Sequence, residues 1–293
     1  MTETVVAPNH AEASEFVQFW NNVLAPKFIT WKHVLVGGLG QHSDAVFPKL
    51  VVNPGERVLD AGAGFGDTAC MLAERVGPSG TVVAMDCCDA FLDFGRQEAA
   101  GKGLTNMRFV PADVEVYPFQ GDFDLVFARF GTMFFSNPVV AMRNMRKALK
   151  PGGRMTHIVW RQRADNPWLS AAKNVVLEFL PQPGDDAQTC GPGPFSMADQ
   201  EMVTGQMRAA GFEDITFERV DAQVRMGDDV EDSIGFQLAL GPAGEVVREA
   251  GDLAVQKDAE IRAALTELLT PHVTEDGVWM ASSSWVISAR NPG

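Results

Sequence analysis

The sequence predicts an α/β fold, a mostly parallel sheet wrapped by helices, with additional helical segments set around it. Short apolar runs alternate with helix-like stretches across roughly residues 50–161, the pattern of βαβ units. The first run, Val58-Leu59, ends in Asp60 and breaks into Gly62, Gly64 and Gly66. The second and third runs also end in acids, Asp86 and Asp113. Strand, glycine loop and helix in this order form the usual seat of a nucleotide-like ligand in an α/β protein.

Residues 10–48 read as mostly helical and carry Phe16, Phe19, Trp20, Phe28 and Trp31. At the first strand end the glycines let the backbone turn sharply and approach a ligand that a Cβ would push away. The spacing is G-x-G-x-G, and Asp67 stands where a dinucleotide binder has its third glycine. An acid at the start of the following helix, Asp67 to Val76, repels a pyrophosphate and favours a cationic ligand without phosphate. S-adenosylmethionine (SAM), with its sulfonium and ammonium, is such a ligand. The second strand, Thr81 to Asp86, ends in an acid placed for ribose hydroxyls. The third, Met107 to Asp113, ends in one placed to meet an adenine edge. A fourth runs from Phe123 to Arg129, followed by a helix from Pro138 to Leu149, a Lys150-Pro151-Gly152-Gly153 turn and a fifth strand, Arg154 to Trp160. Arg129 either pairs with an acid such as Asp60 or neutralises the SAM carboxylate.

With these residues in place, the chain resembles the class I SAM-dependent methyltransferases, strongly over about 50–161 and more diffusely over 200–293. Arg129-Phe-Gly-Thr-Met-Phe-Phe-Ser-Asn-Pro138 and Ala148-Leu-Lys-Pro-Gly-Gly-Arg154 are similar to the small-molecule branch near the ubiquinone/menaquinone C-methyltransferases. The resemblance implies a Rossmann-like seven-stranded sheet whose last strand is antiparallel, SAM as cofactor and S-adenosylhomocysteine (SAH) as product. It maps cofactor contacts onto Asp60, Gly62, Gly64, Asp86, Asp113 and Arg129, with Ala61, Cys87 and Val114 beside them. Cys87-Cys88 departs from the family pattern, in which polar or small residues are more usual.

Beyond the fifth strand, Asn166 to Leu180 has apolar residues spaced for one helix face. Pro- and Gly-rich loops follow at 181–186 and 190–194. Ser196 to Ala210 reads as a helix with a Ser-x-x-Asp start and a Gly211 stop. Residues 213–226 and 278–290 form a late strand pair, and 228–240 and 243–269 look helical. The expected organisation is therefore a helical lid segment (1–48), a SAM-binding βα core (49–161), a lid insertion (162–195), and completion of the core (196–293) interrupted by helices at about 228–276.

The formal net charge is −14 with no run rich in Lys or Arg, which argues against a nucleic-acid partner. No signal peptide and no apolar stretch near the ~18 residues of a membrane span is present, so a cytoplasmic location without a membrane span is expected. The four cysteines show no metal spacing, so reduced thiols and no metal are expected. Homodimerisation is left open. The partner expected is a small-molecule acceptor, largely apolar or aromatic, methylated at carbon or oxygen. Its pocket is assigned to Trp20, Trp31, Phe130, Met133 and Trp160. A single tyrosine, Tyr117, points to recognition by shape. Methyl transfer is a direct displacement in which alignment supplies ~7–11 kcal/mol, so no triad is needed. His42 and His33 are the candidate general bases, His42 favoured because Gly40-Gln41-His42 reads as a loop before the core, whereas His157 in the fifth strand reads as a core residue. His10 and His272 are the remaining histidines. The alternatives are a non-catalytic SAM-binding module and an NAD(P)-dependent oxidoreductase, the latter disfavoured by the absent third glycine.

Overall fold

A computed structural model of the chain describes residues 14–184 and 191–293. His10 and Cys190 lie outside the described residues. The helices are α1 (Glu15–Phe19), α2 (Ala25–Thr30), α3 (Gly40–Val46), α4 (Asp67–Val76), α5 (Asp89–Gly101), α6 (Pro138–Ala148), α7 (Pro167–Val176), α8 (Gln200–Ala209), α9 (Val230–Ala239), α10 (Gly241–Ala250) and α11 (Asp252–Leu269). The strands are β1 (Arg57–Ala61), β2 (Thr81–Asp86), β3 (Met107–Pro111), β4 (Phe123–Arg129), β5 (Leu149–Trp160), β6 (Glu213–Gly227), the two-residue β7 (Val273–Thr274) and β8 (Gly277–Arg290).

The sheet order is β3-β2-β1-β4-β5-β8-β6, with β7 paired to the start of β8. The pairs β3–β2, β2–β1, β1–β4 and β4–β5 are parallel, whereas β8 runs antiparallel to both β5 and β6. The expected seven-stranded sheet with its last strand reversed is therefore present, with a small extra strand at one end. β1, β2 and β4 are buried along most of their length, because helices cover both faces. That is why they read as continuous apolar runs instead of alternating ones. Phe127, Leu59, Leu125 and Met155 are among the largest side chains that are completely buried, each contributing roughly 1.5–3 kcal/mol.

Local chemistry sets the helix boundaries. α6 begins where Asn137 accepts a hydrogen bond from Val140 N and Pro138 occupies the first turn. α8 begins at Asp199, whose carboxylate accepts from Met202 N. Ser196 does not cap that helix, since its hydroxyl donates to Met133 O. The helical stretch at 243–269 is two helices, broken where Gly251 adopts φ 54°. The segment Gly40-Gln41-His42, read as a loop, opens α3.

The N-terminal helices are tied to the late strands. Adding a Cβ to Gly38 would bring it within 2.3 Å of Arg225 O, so the chain passes directly against β6 there. His42 bonds to two serines of β8. Sequence reversal of direction between β1 and β4 creates the switch point at the carboxyl ends of the strands, where ligands of such sheets bind.

Candidate active site

The glycine loop closes over the end of β1. Gly62, Gly64 and Gly66 have φ of 70°, 53° and 79°, a region that other residues enter only at a cost. Gly66 also has no room for a side chain, since a Cβ would sit 2.8 Å from Gly95 Cα and hold α4 away from α5. At Gly64 a Cβ would meet nothing within 4 Å, because this glycine faces open space. The loop is pinned from β2: Gly62 N and Ala63 N donate to Met85 O at 2.9 and 3.0 Å. Gly64 N donates to Asp86 Oδ2 and Cys88 N to Asp86 Oδ1, each at 2.9 Å. A carboxylate oxygen accepts more than one bond, so Asp86 anchors the loop and retains capacity for a ligand hydroxyl. Burial raises its pKa, while backbone N–H bonds from Cys88, Gly64 and Cys87 oppose the rise.

A cavity of about 450 Å³ opens beside this loop, a size suited to small molecules. Gly62, Gly64, Asp86, Cys87, Asp113, Val114 and Arg129 all line it. Asp60 and Ala61 are not among the lining residues, being completely buried beneath the loop. Asp60 Oδ2 accepts from Thr68 Oγ1 at 2.7 Å, while Oδ1 has no partner. Burial pushes this carboxyl up to about 7. Arg129 pairs with Asp67 at 2.6 Å, not with Asp60, and donates to Ser43 Oγ at 2.8 Å.

The rest of the cavity wall is aromatic. Phe130 stacks on Trp160 with centroids 3.8 Å apart and planes 11° from parallel. Trp168 meets Trp160 edge-on at 5.0 Å, and Trp20 meets Phe134 at 5.4 Å. Of the residues assigned to the pocket from the sequence, Trp20, Phe130, Met133 and Trp160 line it. Trp31 does not; it packs on Phe236 at 5.9 Å and covers Gly235. Phe134 and Trp168, which the sequence also offers as aromatic wall residues, line it as well, whereas Lys27, Lys173 and Arg248 were not foreseen. The periodicity of α7 marked its buried face but not what that face lines.

Neither candidate base reaches the cavity. His42 is completely buried, with Nδ1 2.9 Å from Ser284 Oγ and Nε2 2.8 Å from Ser282 Oγ. Burial, with the Arg129 charge, depresses its pKa to about 4. Its ring is a neutral strut between α3 and β8. His33 points elsewhere and pairs with Asp232 at 2.9 Å. His157 is buried in β5, held neutral by burial with a pKa of about 3, and its Nδ1 lies 3.2 Å from Thr132 Oγ1. Cys87 and Cys88 are free thiols with sulfurs 3.9 Å apart. With Asp86 they form a set whose ligand atoms lie within 4.8 Å of one another.

Comparison with known proteins bears on this geometry. A family model described as a methyltransferase domain matches residues 58–153. The chain is 33% identical over 221 residues to the ubiquinone/menaquinone biosynthesis C-methyltransferase UbiE of Ectopseudomonas mendocina, across 72% of this chain and 86% of that protein. The chain belongs to the class I SAM-dependent methyltransferases. Within them it lies near the ubiquinone/menaquinone C-methyltransferases, and SAM is its cofactor, with SAH as product. The fold is shared more widely. The YcgJ protein of Bacillus subtilis superposes with a TM-score of 0.55 at 17% identity, over 86% of this chain and 99% of that one. Phosphoethanolamine N-methyltransferase 2 of Haemonchus contortus, solved with phosphomonomethylethanolamine and SAH, gives 0.56 at 14% identity, over 96% of this chain and 61% of that one. The residues present suit this cofactor, because Gly64 turns a side-chain-free backbone toward open cavity beside a carboxylate with spare acceptor capacity. Among the described residues no helix is long and apolar enough to cross a membrane.

Proposed function

We propose that this methyltransferase acts on a small, largely apolar, ring-bearing acceptor, and that the transfer goes to carbon or oxygen. One observation carries this reading: a single cavity is lined both by the glycine loop with Asp86 and by the aromatic wall of Trp20, Phe130, Trp160 and Trp168. The bound cofactor supplies an electrophilic methyl group on a sulfonium. Gly62 and Gly64 let the backbone approach it, Asp86 accepts from its ribose hydroxyls, and Asp113 and Val114 border its base. Arg129, held by Asp67 and Ser43, stands ready for its carboxylate. The aromatic wall excludes water and fixes the acceptor ring. Alignment of this kind accounts for ~7–11 kcal/mol of the barrier.

No histidine among the described residues lines the cavity, so the reading assigns no histidine general base. The acceptor then reacts through an atom that is already electron-rich, as in a quinol or phenolate ring. The indole N–H of Trp20 is buried without a partner. An oxygen on the acceptor would satisfy it, since a buried tryptophan N–H ordinarily finds one. The segments 14–48, 162–184, 191–195 and 228–276 supply the lid in this reading, because Trp20, Phe28, Trp168, Phe236 and Leu240 reach the cavity from them. The test is a methyl-transfer screen against matched quinols, phenols, amines and thiols, read as SAH release with mass analysis of the product. Methylation of a quinol or phenol at carbon or oxygen is the expected outcome. Turnover confined to amines or thiols would overturn it.

A further inference from the structure

The four cysteines show no metal spacing along the chain, yet the fold gathers two of them with an acid. β2 ends at Asp86 and α5 begins at Asp89, so Cys87 and Cys88 form the link between strand and helix. Neighbouring side chains on an extended backbone point to opposite faces. Here the link turns, and the two sulfurs stand 3.9 Å apart. A carboxylate oxygen of Asp86 completes a set of three ligand atoms, all within 4.8 Å of one another. Two thiolates held at about 2.3 Å by one tetrahedral ion lie about 3.8 Å apart, so the sulfurs already have the bite of a chelate.

The surroundings hold this arrangement in place. Asn21 Nδ2 donates to Cys87 O at 3.1 Å, and Cys88 N donates to Asp86 Oδ1 at 2.9 Å, which fixes the backbone of the link from both sides. Cys88 is completely buried beside Trp20, Leu24, Phe65 and Phe91. Asp86 and Cys87 line the cavity. A cation therefore has a way in from the cavity, two ligands at its wall, and a third in apolar packing that keeps water from competing. Sulfur donors select zinc-like ions, whereas carboxylates and carbonyls alone suit magnesium and calcium. Two sulfurs and one oxygen belong to the first class, and three protein ligands leave a fourth tetrahedral position for water.

We propose that Asp86, Cys87 and Cys88 of the cofactor-free protein bind a thiophilic divalent cation, zinc or cadmium, and that this cation and the cofactor exclude one another. On binding, two S–H bonds give way to two S–metal bonds, and both protons pass to solvent. No electron is transferred. The exclusion rests on the proposed cofactor reading, in which the Asp86 carboxylate accepts from the ribose hydroxyls: a carboxylate drawn onto a cation is no longer free for them. The glycine loop is affected too, since Gly64 N also bonds to Asp86 Oδ2. By linkage, whatever factor the cation takes from cofactor affinity, the cofactor takes from cation affinity.

The experiment titrates the full, cofactor-free chain with cadmium alone, the thiols kept reduced by a phosphine. The ultraviolet cadmium–thiolate charge-transfer band reports sulfur ligation, and calorimetry gives stoichiometry and affinity. One cadmium per chain, with the band, is expected, and magnesium should fail to compete. Cys87→Ser and Cys88→Ser should each weaken cadmium binding at least about tenfold and reduce the band. In the parent, cadmium should lower SAH affinity at least about tenfold. Cys88→Ser should keep its metal-free SAH affinity within about twofold of the parent and lose that cadmium effect. Absence of the band, a band that survives both substitutions, or magnesium binding as tightly as cadmium overturns the site. Cadmium held by both sulfurs with SAH affinity unchanged overturns the exclusion. The cofactor reading has its own test, the loss of SAM and SAH affinity in Asp86→Ala without metal, so its failure is distinguishable from failure of the cation site.

Discussion

Asp60 is completely buried, and its charge is the least comfortable in the core. Burial is the main cause of its rise from 3.8 to about 7, helped by Asp67 and Asp86 and opposed by the Thr68 hydrogen bond and Arg129. That rise corresponds to about 4 kcal/mol at 1.36 kcal/mol per pH unit. For an acid whose folded pKa is raised, the stabilising state is the neutral one. Its contribution is fully present below pH 3.8 and is lost as pH rises through about 7. Asp60→Asn keeps an oxygen for the Thr68 hydroxyl but places an amide N–H where Oδ1 has no partner, at a cost of about 1–3 kcal/mol. The variant should therefore be less stable than the parent near pH 5. Between about pH 5 and 7 the difference should move by roughly 2–3 kcal/mol in the variant's favour. His42 and His157, depressed to about 4 and about 3, work in the opposite sense. Their contribution is lost as pH falls below the ordinary histidine range, but it is common to both proteins and cancels in the comparison. Urea unfolding of the cofactor-free proteins at half-unit pH steps provides the measurement. If the two stability curves run parallel from pH 5 to 7, Asp60 is not a buried, neutral acid and the account of the loop's underside is wrong.

Three further outcomes are expected. Gly64→Val places branched carbons at φ 53° facing the cavity; SAH affinity by calorimetry should fall at least tenfold, and a folded variant with unchanged affinity would remove the loop from the cofactor site. Asp86→Ala removes the acceptor of the Gly64 and Cys88 N–H groups and of the ribose contacts proposed for it, so SAM and SAH affinities should fall together by the equivalent of about 1.5–3 kcal/mol, and loss of one without the other would contradict the ribose role. Amide exchange across residues 16–42 should slow on addition of SAH, with little change across 279–290, because β8 is already held between β5 and β6 whereas lid elements open at lower free energy; equal protection of both would argue that the N-terminal helices are static packing.

The glycine-loop half of the cavity was legible in the sequence because its determinants are local. Gly62, Gly64, Asp86 and Asp113 follow strand ends at fixed offsets, and each announces itself within a few residues. The aromatic half is assembled across long separations. Lys27 meets Ala239 O, and Trp31 meets Phe236 instead of the cavity; no local pattern encodes either meeting. His42 shows the difference most clearly. Its neighbours Gly40 and Gln41 suggested a loop before the core, but Ser282 and Ser284, some 240 residues later, hydrogen-bond to its two ring nitrogens. The same holds for Ser196, whose spacing to Asp199 imitates a capping box while its hydroxyl is taken by Met133 O. Local competition between cap and tertiary bond was decided by the fold.

The two halves meet at Phe130. Its φ of 56° is uncommon for a residue with a bulky side chain and costs on the order of 1–2 kcal/mol. Three contacts hold it there. Phe130 N donates to Ile158 O at 2.8 Å, the ring stacks on Trp160, and His42 meets the ring edge-on at 5.5 Å. The left-handed turn has a directional consequence. Arg129, one residue earlier, joins Asp67 at the start of α4, and Gly131, one residue later, lies close against Gly62, where a Cβ would sit 3.3 Å from Gly62 O. A single strand end thus presents a guanidinium to Asp67, an aromatic face to Trp160, and a bare backbone to the glycine loop. Backbone strain kept at such a junction persists when the surroundings over-determine it, and the buried His42 strut is part of those surroundings. The histidine that the sequence offered as a base thus has another part in the proposed reading: bonded to Ser282 and Ser284 and packed on Phe130 and Trp160, it fixes the aromatic wall assigned there to the acceptor ring.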